Sequence, residues 1–111
     1  MPKVFILNRG SHDYSQAARF GELTYISDGM LDKLSTGVMF RILQEAFKNS
    51  CPEDYILLSS LTTLCSIATA MFSSMHGCVN LLIFHQDNYV VRRVSFSQLY
   101  KDCKNEPSLL R

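Results

Sequence analysis

Apolar and polar positions alternate along the chain in blocks that predict strands separated by helices. Two of these blocks are continuous apolar runs, and a third is interrupted only by Asn80, which is typical of strands buried on both faces. Two more are rich in β-forming residues, and the last of them follows a turn at residues 86–88 that predicts an antiparallel hairpin. The five predicted strands are residues 4–7, 22–27, 55–58, 79–84 and 89–94.

Residues 30–49 predict the first helix, because apolar side chains recur there at three- and four-residue steps. Gly37 weakens its first half, so an alternative start is Ser35, whose hydroxyl could cap the helix. The predicted buried face consists of Leu31, Leu34, Val38, Ile42 and Ala46, widened by Met39, Leu43 and Phe47.

Residues 62–76 predict the second helix, whose apolar spacing is the most regular in the chain. Gly77 is placed to end it in the left-handed conformation. Short helical turns are predicted at residues 14–20, with Asp13 as the N-cap, and at residues 97–103. The predicted buried face is Leu64, Ile67, Ala68, Met71, Phe72 and Met75.

Strands that alternate with helices predict an α/β fold with right-handed crossovers. We expect a small three-layer Rossmann-like domain whose sheet is mostly parallel, with an antiparallel C-terminal edge hairpin. At 111 residues and 12.6 kDa the chain has room for one domain, residues 1–111. Residues 102–111 are polar and contain a proline, which predicts a mobile tail.

Composition restricts the classes of partner. The net charge is +1 and the basic residues are scattered, which disfavours nucleic-acid binding. No run approaches the roughly 18–20 apolar residues of a membrane span. A domain of this size buries only about two-thirds of its unfolded surface, which favours a homo-oligomer.

The four cysteines, at positions 51, 65, 78 and 103, have no C-x-x-C spacing, and no cluster of histidines lies beside them. This spacing does not support a zinc site, and no other metal or cofactor motif is present. The chain opens directly into a strand rather than into an apolar leader segment. We therefore expect reduced thiols and a cytoplasmic location.

Polar residues follow the predicted strands, where α/β sheets bind ligands. Because carboxyl ends of parallel strands share one edge, these residues are predicted to surround one ligand. The predicted binding residues are Asn8, Arg9, Ser11, His12, Asp13, Tyr14, Asp28, Ser59, Ser60, Thr62 and Thr63.

Two segments of this set have alternative interpretations. The hydroxyls of Ser59, Ser60, Thr62 and Thr63 could hold an anion at a helix start, or could only cap the helix. Residues 8–15 combine a guanidinium, an imidazole and a carboxylate, which could serve binding or acid–base chemistry. The alternative is that Asp13 is an N-cap and His12 a surface residue, and no catalytic residue is assigned.

The segment VFILNRGSHDYSQAARFGELTYISDG, at residues 4–29, resembles a family of small, mostly uncharacterised proteins of tailed bacteriophages. Its marker is N-x-x-x-HDYS-x-A-x-x-FGEL, and residues 54–84 resemble the family's second half. The resemblance implies a phage or prophage origin and action in the host cytoplasm. Ser59 and Ser60 depart from the small residue or glycine expected after the third strand.

We therefore expect a non-enzymatic protein that binds or sequesters a nucleotide or another phosphorylated small molecule. A protein–protein interaction module acting on a host or virion factor is the first alternative. A small hydrolase or nuclease that uses Arg9, His12 and Asp13 is the second.

Overall fold

The computed structural model describes residues 1–29, 31–59 and 61–96. The predicted turn at residues 97–103 and the predicted tail lie outside the described residues. Five strands are present, close to the predicted positions. They are β1 (Lys3–Ile6), β2 (Glu22–Tyr25), β3 (Tyr55–Leu57), β4 (Cys78–His85) and β5 (Asn88–Ser95).

The strands form one sheet in the order β2-β1-β3-β4-β5. The first four are parallel, and β5 pairs antiparallel with β4 at the edge. The order 2-1-3-4 is one of the two common orders of doubly wound sheets. The predicted α/β class, with a mostly parallel sheet and an antiparallel edge hairpin, is confirmed.

Two helices, α1 (Thr36–Ala46) and α2 (Thr62–His76), cover the same face of the sheet. A 3-10 helix at Ser15–Arg19 covers the opposite face. The chain moves in one direction across the sheet through α1 and α2, and in the other through the 3-10 helix. Crossovers of a single hand place these connections on opposite faces, so the third layer is this short helix.

The first helix is shorter than predicted, and part of its predicted buried face is exposed. It begins at Thr36 and continues after Ala46 as a 3-10 helix, Phe47–Asn49. Its N-cap is Ser35, but the Ser35 side chain makes no capping hydrogen bond. The fully buried side chains are Met39, Leu43 and Phe47.

Leu34 and Val38 had been predicted in the buried face, but they are 80% and 40% exposed. Leu34 precedes the helix, so the three- and four-residue series that includes it does not follow one helical face. Met39, Leu43 and Phe47, which were predicted to widen this face, are fully buried, and Ile42 and Ala46 pack against the same core cluster.

The second helix begins and ends as predicted. Leu64, Ala68 and Phe72 are buried, and Gly77 ends the helix with a φ of 72°. Met75 was predicted to be buried but is 48% exposed, because it lies in the last turn of the helix.

The hairpin turn is tighter than predicted. Gln86 and Asp87 alone form it, both with positive φ, and Asn88 already pairs with His85. Left-handed residues at both central positions match the twist of the flanking strands. This register sets Phe84 directly opposite Tyr89.

Candidate functional site

A cavity of about 350 Å³ lies at the carboxyl ends of β1 and β3. These strands are neighbours, but the chain leaves β1 toward the 3-10 helix and leaves β3 toward α2. Diverging connections open a crevice at this point of a doubly wound sheet. We call it the switch-point cavity. The described residues that line it are Asn8, Gly10, His12, Asp13, Tyr14, Leu57, Leu58, Ser59, Leu61, Phe84 and Tyr89.

The loop after β1 is fixed to the neighbouring strand end. The Ser27 hydroxyl lies 2.7 Å from the Leu7 carbonyl oxygen and 2.9 Å from Oδ1 of Asn8. The backbone N–H of Arg9 donates to the Ser27 carbonyl oxygen at 2.8 Å. These bonds hold Asn8 at the cavity wall, with its amide nitrogen unpartnered among the described residues.

Asp13 lies two residues before the 3-10 helix, whose N-cap residue is Tyr14. Its Oδ1 accepts a hydrogen bond from the backbone N–H of Ser15 at 2.9 Å. This bond, together with the Ser15 side chain, holds the pKa of the Asp13 carboxyl below its usual value. The N-cap residue is therefore Tyr14 rather than the predicted Asp13, and the Asp13 carboxylate lines the cavity as an anion.

The loop after β3 is organised by Cys65. The Cys65 thiol lies 3.4 Å from the Ser59 carbonyl oxygen and accepts from the Ser59 backbone N–H at 3.4 Å. The Ser59 hydroxyl accepts from the Leu61 N–H at 3.3 Å. Cys65 is therefore a half-buried polar contact as well as an apolar filler, and it fixes Ser59 at the cavity wall.

The hairpin supplies the part of the wall that sequence reasoning missed. Phe84 is 58% exposed and Tyr89 is 8% exposed, and their ring centroids lie 5.2 Å apart. A turn of two residues places Phe84 opposite Tyr89 in the hairpin. The sequence predicted a turn of three residues, which does not give this pairing. Leu57 and Leu58 were missed because they belong to a strand that was assigned to the core, and Leu61 because only the hydroxyl-bearing residues of its segment were chosen.

Two buried phenols stand in this wall. Burial raises the pKa of Tyr14, and Tyr25 adds to the shift. Burial also raises the pKa of Tyr89, with smaller contributions from Tyr14 and Asp13. Both phenols are neutral hydrogen-bond donors at physiological pH, and the Tyr14 hydroxyl donates to the Asn8 carbonyl oxygen at 3.4 Å.

Five of the predicted binding residues meet at this cavity, and five others lie elsewhere. Those at the wall are Asn8, His12, Asp13, Tyr14 and Ser59. Those away from the wall are Arg9, Ser11, Asp28, Thr62 and Thr63. Ser60 lies outside the described residues.

Arg9 and the two threonines have other contacts. The Arg9 guanidinium carbon lies 4.8 Å from the centre of the Tyr25 ring. Leu61, rather than Thr62 or Thr63, is the N-cap residue of α2, and it makes no side-chain capping hydrogen bond. The predicted capping by the threonine hydroxyls is therefore wrong.

Within the described residues, no group of three or more histidine, cysteine or acidic side chains could hold a metal ion. The thiols of Cys51, Cys65 and Cys78 are free. In the same part of the chain, no helix combines the length and the apolar character needed to cross a membrane.

Residues 2–98 match the model of the Phage Pam3 gp32-like protein family. No curated protein and no solved structure matched the chain. The match supports the phage relationship that the sequence predicted, whereas the HDYS–FGEL segment as the marker of that relationship stays a prediction. Because the matched range contains the whole sheet and both helices, the chain belongs to the Phage Pam3 gp32-like protein family.

Proposed function

We propose that this phage-family protein binds a small molecule of the nucleotide class, with the ring of the ligand in the switch-point cavity. The observation that carries the proposal is convergence. Loops from two neighbouring strands and the aromatic pair of the hairpin all line one concave space.

The composition of the wall supports a ligand with a planar ring. Tyr14, Phe84, Tyr89 and His12 offer aromatic surfaces, and planar rings pack against such surfaces. Asn8, Asp13 and Ser59 add polar groups that fix orientation. An apolar and aromatic pocket of about 300–1,000 Å³ with a few polar groups is typical of small-molecule sites.

Thermal shift measurements with a panel of nucleobases, nucleosides and nucleotides test the proposal. Native mass spectrometry of protein purified from nucleotide-fed cells is a second readout. Phe84→Ala removes an exposed ring of the cavity wall and should abolish the thermal shift. Phe96→Ala removes a ring that is 39% exposed at the far end of β5, and should preserve it.

Two results would reject this function. One is the absence of any bound molecule together with no thermal shift across the panel. The other is an equal loss of the shift in the two phenylalanine variants. Hydrolase activity, the third possibility raised by the sequence, is tested by His12→Ala in the same protein.

A second function, self-association, is favoured by the outer surface of the helix layer. A groove of about 500 Å³ runs between α1 and α2, and we name it the helix groove. Phe40 stands at its wall and is 50% exposed. The described residues that line it are Phe40, Ser66, Ile67, Ala70, Met71 and Ser74.

The helix groove offers a partner neither charge nor free hydroxyl donors. Residues 62–76 include no Asp, Glu, Lys or Arg. The hydroxyls of Ser66 and Ser74 donate to carbonyl oxygens four residues earlier in α2, at 2.9 and 2.8 Å. Such a face loses little polar hydration when it is covered, and charge depletion is typical of interface cores.

We propose that the occupant of the helix groove is a second copy of this chain. In a two-fold dimer each copy presents the same uncharged face, and Phe40 of each is a knob for the groove of the other. Sedimentation velocity should detect the dimer. Ala70→Glu should give monomers, whereas Gln16→Glu, on the opposite face, should not. A monomeric wild-type protein at high concentration rejects the proposal.

A further inference from the structure

The charge at the switch-point cavity restricts the ligand further. Asp13 is the one Asp or Glu among the described residues that line the cavity, and no Lys or Arg is among them. Its Oδ1 accepts from the Ser15 N–H at 2.9 Å. The described part of the wall therefore includes one carboxylate and no Lys or Arg side chain.

Two arginines belong to segments beside the cavity, Arg9 to the loop after β1 and Arg19 to the 3-10 helix. The guanidinium of each contacts other protein groups. Arg9 stacks on the Tyr25 ring at 4.8 Å. Arg19 donates to Oδ1 of Asn88 at 2.7 Å and stacks on the Phe20 ring at 4.7 Å. The Arg9 guanidinium therefore contacts a ring outside the wall, whereas Arg19 also donates to the carbonyl oxygen of the wall residue Tyr89 at 3.4 Å, and neither arginine lines the cavity.

A phosphate in the cavity would lie near a carboxylate, with no Lys or Arg side chain among the described residues of the wall. Asp13 is exposed to solvent, so the repulsion between the two like charges is partly screened but still disfavours the phosphate. An uncharged or cationic ring meets no such cost, because the aromatic wall favours both.

We propose that the switch-point cavity selects the uncharged or cationic planar rings of nucleobases and nucleosides over their phosphorylated forms. This inference depends on the proposed function, since it specifies the ligand of the same cavity. It differs from the expectation of a phosphorylated ligand, which depended on an arginine and threonines that do not line the cavity.

Isothermal titration at fixed pH and ionic strength tests the selection with matched pairs, each a nucleoside and its 5′-monophosphate. The nucleoside should bind about tenfold more tightly, as expected for one like-charge contact in a partly solvated site. Asp13→Asn removes the charge and keeps an oxygen that can accept from the Ser15 N–H, so it should reduce this ratio to about twofold.

Asp28→Asn is the matched control. It removes one negative charge from an exposed residue of the loop after β2, which does not line the cavity. The ratio should therefore remain near tenfold in this variant. Equal effects of the two substitutions would overturn the assignment to Asp13.

The failures of the two proposals are distinguishable. Tighter binding of the monophosphate, lost in Phe84→Ala, would overturn the selection and leave the binding function intact. No binding of any nucleobase, nucleoside or nucleotide would overturn both.

Discussion

Two tyrosines show how single residues connect the fold to the cavity. Tyr14 and Tyr89 are each 8% exposed, and both line the switch-point cavity. Their ionised forms would place negative charge in a poorly solvated space beside Asp13. The fold therefore favours the neutral phenol of each residue.

The first prediction is a loss of stability at alkaline pH. A raised folded-state pKa means that the native state holds its proton more tightly than the unfolded chain, in which a phenol titrates near 10. The free energy of unfolding should therefore fall as the pH rises above about 10. Tyr89→Phe should make this fall shallower in urea titrations. If the stability of the wild-type and Tyr89→Phe proteins fell in parallel above pH 10, this prediction would be contradicted.

Asp54 is the residue that joins the amino ends of two strands. It is 3% exposed, and its two carboxylate oxygens accept from the backbone N–H groups of Lys3 and Cys51, at 2.9 and 2.8 Å. The carboxylate thus fixes the start of β1 beside the start of β3. The relative position of these strands determines where the loops of the cavity meet.

The second prediction concerns this carboxylate. In Asp54→Asn an amide NH₂ replaces one acceptor, so a buried backbone N–H loses its partner, which costs about 1–3 kcal/mol. Chemical denaturation should show that loss. Asp32→Asn, an exposed carboxylate with one backbone bond to Leu34, should change stability by less than about 0.5 kcal/mol. Equal small effects would show that Asp54 is dispensable.

At the scale of elements, one glycine fixes the approach of β2 to the chain start. A Cβ on Gly21 would overlap the Pro2 carbonyl oxygen, which accepts from the Glu22 N–H at 2.8 Å. Gly37 differs, because a Cβ there would meet nothing within 4 Å in the first turn of α1. The two positions have the same residue for different reasons.

The third prediction uses this contrast. Gly21→Ala should destabilise the protein by about 1–3 kcal/mol, because the backbone of the edge strand must shift. Gly37→Ala should stabilise it by up to about 1 kcal/mol, because alanine favours the helix. Thermal melts of both variants measure the difference. If both substitutions changed the melting temperature in the same direction, the close approach at Gly21 would be contradicted.

At the scale of the whole molecule, the two faces of the sheet have different functions in our proposals. The face under the 3-10 helix contributes residues to the switch-point cavity, whereas the opposite face carries the helix groove. Ligand binding and self-association are therefore separable by substitution. Ala70→Glu should leave ligand affinity unchanged, and Phe84→Ala should leave the dimer intact.

The fourth prediction follows from mass action. If two copies associate through the helix groove, the melting temperature rises with protein concentration, because only the folded state dimerises. Ala70→Glu should remove this dependence, while Gln16→Glu should keep it. Calorimetry over a hundredfold range of concentration provides the measurement. A constant melting temperature in the wild-type protein would contradict the dimer.

The sequence by itself determined the five strands, the α/β class and the second helix. Those features depend on local spacing, because a buried strand needs a short apolar run and a helix needs apolar side chains at three- and four-residue steps. It also brought Asn8, His12, Asp13, Tyr14 and Ser59 into one predicted site, because the carboxyl ends of parallel strands share an edge.

Only the tertiary structure decided which of the polar residues line the cavity, and that Leu34 and Val38 of the predicted helix face are exposed. Arg9 turned to the Tyr25 ring, and Phe84 and Tyr89 completed the wall. These outcomes depend on contacts between residues far apart in the chain, and on a hairpin register that one turn residue shifts. Local patterns contain no information about such contacts. The tertiary structure was therefore needed to show which charged side chains line the cavity.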